Sequence, residues 1–98
     1  MGEDPIAVAP HLYDVLFENE RVRLIETKFG MGDSSPMHSH PDYLVFALEA
    51  GKAVFRSEDG ETVDVEMKAG DVMWRDAETH AVDAAPDSQV HVLLFELK

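Results

Sequence analysis

Residues 36–51 read PMHSHPDYLVFALEAG. Two histidines one residue apart stand between two prolines, and an apolar run follows until Gly51. That run is short for a helix, rich in aromatic and branched side chains, and bounded by turn residues. It predicts a strand buried on both faces. In an extended segment, residues two apart point the same way, so His38 and His40 share a face. Imidazole is the commonest protein ligand for divalent transition metals, which gives the spacing a chemical use. Alone it is a weak signal, because a chain with 5 histidines in 98 residues forms such pairs by chance often enough.

Working outward, the same texture repeats. Upstream, GMGDSSPMHSHP (30–41) reads as a loop, while HLYDVLFE (11–18) and RVRLIETKF (21–29) alternate as imperfect half-buried strands. Downstream, residues 50–71 read as turn, strand, turn, strand, turn, with Asp59-Gly60 favouring a tight hairpin. DVMWRD and THAVDA are short strands, and QVHVLLFELK is a long final one. No convincing helix stands out, and turn signals recur about every ten residues, the pattern of an antiparallel sandwich or barrel. The expected fold class is all-β, and residues 1–98 read as one domain, with 1–10 a loose or partner-packing arm.

The totals exclude several functions. There is no cysteine, so disulfides, thiolate metal sites and cysteine nucleophiles are out. A net charge of −12 opposes nucleic acid and anionic membranes. The acidic start is no signal peptide, and no apolar run approaches the roughly 20 residues that span a bilayer. A cytoplasmic protein is expected. No phosphate-cradling glycine loop or nucleophile elbow is present.

A third histidine, His80, follows a glycine-aspartate turn at 70–71, on what should be a nearby strand. Three imidazoles converging from two strands make a facial site with open positions, as metal-assisted chemistry needs. With these residues in place, the sequence resembles a small single-domain cupin. Gly32, His38, His40 and Gly51 match the family's first motif, G-x5-H-x-H-x3,4-E-x6-G. The second, G-x5-P-x-G-x2-H-x3-N, starts at Gly70 and is degenerate: Asp76 and Glu78 replace its proline and second glycine, His80 comes one residue early, and Ala84 replaces the asparagine. The first motif's glutamate falls on Leu44, or Val45 with the longer spacing.

The resemblance implies an antiparallel double-stranded β-helix (jelly roll), a homodimer, and one divalent metal at His38, His40 and His80. Iron, zinc, nickel and manganese are not distinguishable from ligand type. Asp42 and His91 are candidate extra ligands. Some cupin-fold dioxygenases hold iron(II) by three histidines alone, which implies oxygen-dependent chemistry on a small organic acid, thiol or dicarbonyl. Leu44, Phe46 and Leu48 are expected to line the pocket. Trp74 is expected near its mouth, and Arg75 is a candidate clamp for a substrate carboxylate. Two other readings stay open: a non-catalytic module binding metal or a small ligand, and a dimeric scaffold with a vestigial site.

Overall fold

Two antiparallel sheets face each other. The structure, a computed structural model, describes residues 3–98. Strands β1 (Tyr13–Glu18), β2 (Val22–Phe29), β9 (Val90–Leu97), β4 (Tyr43–Ala47) and β7 (Val72–Arg75) form, in that order, a five-stranded sheet. Strands β3 (Ser34–His40), β8 (Glu78–Ala84), β5 (Gly51–Ser57) and β6 (Thr62–Met67) form a four-stranded one. This is a double-stranded β-helix, the all-β class the turn spacing predicts. Its core is built from side chains that alternate inward, among them Ile25, Phe29, Tyr43, Val45, Val92 and Leu94.

Two turns need glycine for different reasons. Gly60 closes the β5–β6 hairpin at φ 89°, a conformation costly for any residue with a Cβ. Gly51 lets β5 pass under the Gln89 backbone, where an added Cβ would sit 2.5 Å from the carbonyl oxygen.

Three expectations change. The stretch 30–41 is not all loop, because Ser34–His40 form strand β3. Proline is admitted there because β3 is an edge strand, and the register slips between Ser35 and His38. A helix also appears: Pro5–Val8 make one turn, capped by Asp4 and started by the buried Pro5. That turn packs on the chain's own β3, and the Ser39 N–H donates to the Glu3 carbonyl. Of the 1–10 arm, residues 1 and 2 lie outside the described residues. Finally, the apolar run is in the opposite phase. Tyr43, Val45 and Ala47 are buried, whereas Leu44, Phe46 and Leu48 are more exposed. A run apolar on both faces carries no phase of its own.

Candidate metal centre

The inner face of the four-stranded sheet brings the three histidines together. His38 and His40 are two apart on β3, and His80 is the direct cross-strand partner of His38 on β8. All three are buried, and one ligand atom of each lies within 4.8 Å of the others. Ring centroids are 4.7 Å (His38–His40), 4.9 Å (His38–His80) and 5.2 Å (His40–His80), with the rings nearly perpendicular.

Each ring is held differently. His38 Nδ1 lies 2.8 Å from the Pro36 carbonyl, which can only accept, so Nδ1 carries the proton and Nε2 keeps its lone pair. His40 Nδ1 sits 2.6 Å from Glu96 Oε2, which fixes the same tautomer. Glu96 is itself buried on β9, and Arg23 grips its other oxygen at 2.7 and 2.8 Å. Arg23 also reaches Asp4 at 2.9 Å, tying the helical turn to the site. His80 Nδ1 is buried with no hydrogen-bond partner, and Glu78 Oε1 is 3.5 Å away.

The electrostatics favour the neutral ring at His38 and at His80. Burial, reinforced by the neighbouring imidazoles, pushes His38 down to about 4. Burial lowers His80 as well, against the pull of Glu78. Burial opposes the Glu78 carboxylate, but hydrogen bonds from Arg75 and Tyr43, with His80 close by, outweigh it and hold its carboxyl below the usual range. Burial and the Glu78 carboxylate raise Tyr43, so it stays a neutral phenol donating to Glu78 at 2.6 Å.

These features fit a cation. Three buried imidazoles with a ligand atom of each close to the others, an orphaned ring nitrogen and carboxylates beside the rings are the donor set a divalent metal takes. The cluster can hold a metal ion.

The other expected site residues fall elsewhere. Asp42 is exposed, and its Oδ1 accepts the Ala77 amide at 2.8 Å. His91 lies away from the cluster, between Glu26 (2.8 Å) and Glu49 (2.9 Å). Leu44 and Phe46 pair across the sheet with Trp74 and Val72 on its outer face. Trp74 donates to Asp76 there and does not line the pocket. Arg75 is near the site, over the Phe55 ring, but both arms of its fork go to Glu78 at 2.8 and 2.6 Å. It has no fork left for a substrate carboxylate. Beside the histidines lies a cleft with about 610 Å³ of empty space, part of it open to solvent. Its walls are apolar, from residues such as Phe29, Val45, Phe55, Met67 and Leu94.

No family model and no curated protein matches the sequence. Solved structures do. A cupin domain from Bordetella pertussis is 27% identical, with a TM-score of 0.78 over 89% of this chain and 92% of that one. The chain is a small cupin-type domain. An RmlC-like cupin from Methanocaldococcus jannaschii, described as a double-stranded β-helix, is 15% identical with a TM-score of 0.69, over 88% of this chain and 78% of that one. The polyketide cyclase RemF of Streptomyces resistomycificus is 20% identical with a TM-score of 0.65, over 87% of this chain and 63% of that one.

Of the two positions where the cupin motif places a glutamate, Leu44 faces outward and Val45 lines the cleft, so neither supplies a carboxylate. The residues that sequence reasoning missed are Glu96, Glu78, Tyr43 and Tyr13, whose hydroxyl lies 3.5 Å from His38 Nε2. Glu96 had a legible signal. Val90, Val92 and Leu94 share its face of the last strand, and an acid at the end of an apolar inward stripe needs a partner.

Proposed function

We propose that this cupin-type domain binds one divalent transition metal at His38, His40 and His80 and oxidises a small molecule with oxygen, as a dimer in the cytoplasm. The observation that carries the reading is the Glu96–His40 pair. A carboxylate buried to orient an imidazole, and itself neutralised by Arg23, is an expensive arrangement for a vestigial site. Three neutral ligands leave a bound metal its full charge and open positions, which supply Lewis-acid activation to a chelating substrate and to oxygen. The chain's own residues do the rest. Pro36 and Glu96 hold the protons of His38 and His40 away from the centre. Tyr43 and Arg75 keep Glu78 ionised beside His80. The apolar wall gives water few partners beside the rings.

Metal analysis of the purified protein tests this first. One equivalent is expected, falling in His38→Ala and His80→Ala. A content well below one atom per chain, unchanged in both variants, refutes the site. Oxygen uptake with iron-loaded protein and a panel of thiols, diketones and aromatic acids then separates an enzyme from a binding module. The binding module stays a second reading because a cupin-fold neighbour is named for cyclisation rather than oxidation, so the fold alone does not select the chemistry.

The dimer reading rests on the outer face of the five-stranded sheet. Phe17, Leu24, Phe95, Leu44 and Trp74 form one unbroken apolar row across all five strands. Leu93, Phe46 and Val72 form a second row beside it. Val72 is 63% and Trp74 48% exposed. Phe17 and Phe95 are exposed as well, and a contiguous apolar face of this kind is what protein interfaces use. The residues of these rows are uncharged, and the second row meets acids only on β2 and β1, at Glu26 and Asp14, so two copies of a −12 chain can meet over the apolar part. Light scattering should return twice the 10.9 kDa chain mass, and Phe95→Asp with Trp74→Asp should return the monomer. A native monomer at every concentration would end this reading. Among the described residues, no helix is long and apolar enough to cross a membrane.

A further inference from the structure

Among the described residues, two buried side-chain polar atoms lack a hydrogen-bond partner, His80 Nδ1 and Thr27 Oγ1. Both residues line the cleft. The first belongs to the histidine cluster. The second has no such account. Thr27 lies on β2 with Tyr13 on one side and Val92 on the other, and it is 4% exposed. Valine has the same branched shape and would fill that place without stranding a hydroxyl.

The charges around the cleft narrow what can enter it. Arg75 is committed to Glu78, and Arg23 to Asp4 and Glu96. Neither arginine lines the cleft itself; of the charged residues that do, Glu49 pairs with His91, which also meets Glu26, and Lys52 is exposed. An anionic group pushed deep against the apolar wall would therefore meet no uncommitted buried cation. The tyrosine hydroxyls in the wall are also engaged, Tyr13 with Ser35 and Tyr43 with Glu78.

We infer that the cleft takes an uncharged, mainly hydrophobic molecule, one of whose hydrogen-bonding atoms pairs with Thr27 Oγ1. This rests on reading the cleft as the substrate site, and it favours the neutral members of the substrate classes above over free acids. Thr27 is then a specificity determinant. It returns a hydrogen bond to a ligand with a matching atom and nothing to a hydrocarbon.

The test titrates the full chain, as purified and after chelation of metal, with naphthalene, 2-naphthol and 2-naphthoate, following probe fluorescence. The native protein should bind 2-naphthol more tightly than naphthalene and bind 2-naphthoate weakest. Thr27→Val should weaken 2-naphthol about five- to tenfold, one hydrogen bond's worth, and leave naphthalene unchanged. It should also raise the melting temperature of the unliganded protein, which a merely structural hydroxyl would not do. Thr27→Ser, which keeps the hydroxyl, should restore the preference. Preference for 2-naphthoate, an unchanged naphthol-to-naphthalene ratio in Thr27→Val, or no saturable binding of any probe overturns the inference. The chelated arm keeps the result independent of the metal: loss of the metal site would leave the Thr27 ratio intact.

Discussion

Two histidines in this chain meet carboxylates, and they end up as different chemical objects. His40 is buried and touches one carboxylate, Glu96, through one nitrogen, which leaves the other nitrogen free. His91 is part-exposed and has a carboxylate at each nitrogen, Glu49 and Glu26, so the protonated ring, which can donate from both nitrogens, is favoured. The hydrogen bonds to Glu26 and Glu49 raise its pKa, while burial lowers those of His38 and His80. The number of carboxylates and the depth of burial decide whether an imidazole becomes a ligand or a cation.

The largest way to break the contrast is to remove the buried acid. Glu96→Ala should cost about 3–5 kcal/mol in urea unfolding, because Arg23 is left without its buried partner. Metal affinity, read by competition with a chromophoric chelator, should fall about 10–100-fold. Wild-type stability or affinity in that variant would mean that Glu96 does not support the site.

The second effect is pH. His38 binds a proton only near pH 4 in the folded chain but near 6.5 unfolded. Between those values the unfolded state holds more protons, so metal-free stability rises with pH there and is lost as pH falls, by up to about 3 kcal/mol. His91 has the opposite sign: its pairs contribute below pH 6.5, and the contribution is lost as pH rises through its raised pKa. Urea midpoints from pH 4 to 8 should show the first slope flattened in His38→Gln and the second in His91→Gln.

Smaller effects sharpen the outer end of the cleft. Gly51→Ala should destabilise by about 1–3 kcal/mol, since the Gln89 backbone must move, and thermal melts measure this. His91→Gln should cost under about 1 kcal/mol at pH 7, as solvent-reached ion pairs do, and should leave metal content unchanged.

Much of this was legible in the sequence. Turn residues at short intervals identified an antiparallel all-β sandwich or barrel, the resemblance to cupins narrowed it to the double-stranded β-helix, and H-x-H with a later histidine identified the three rings that converge. Strand phase was not legible where both faces were apolar. In YLVFA the outward residues are as hydrophobic as the inward ones, because the outer face of that sheet is itself an apolar surface. The same ambiguity hid Glu96. Its strand carries Leu93, Phe95 and Leu97 on the other face, so the stripe ending in the acid looked like the solvent side. Long-range pairs such as Arg23 with Glu96, 73 residues apart, leave no local pattern at all.

The slipped register at Pro36 has an electronic consequence. It turns a main-chain carbonyl back onto His38, while His40 leans on a full anion and His80 on neither. The three imidazoles are therefore graded in donor strength. The ring backed by Glu96 is the most electron-rich, and the one fixed by an amide is beyond the reach of any side-chain substitution. A centre with three identical residue types thus has a strong and a weak side, and retuning it would have to start at position 96.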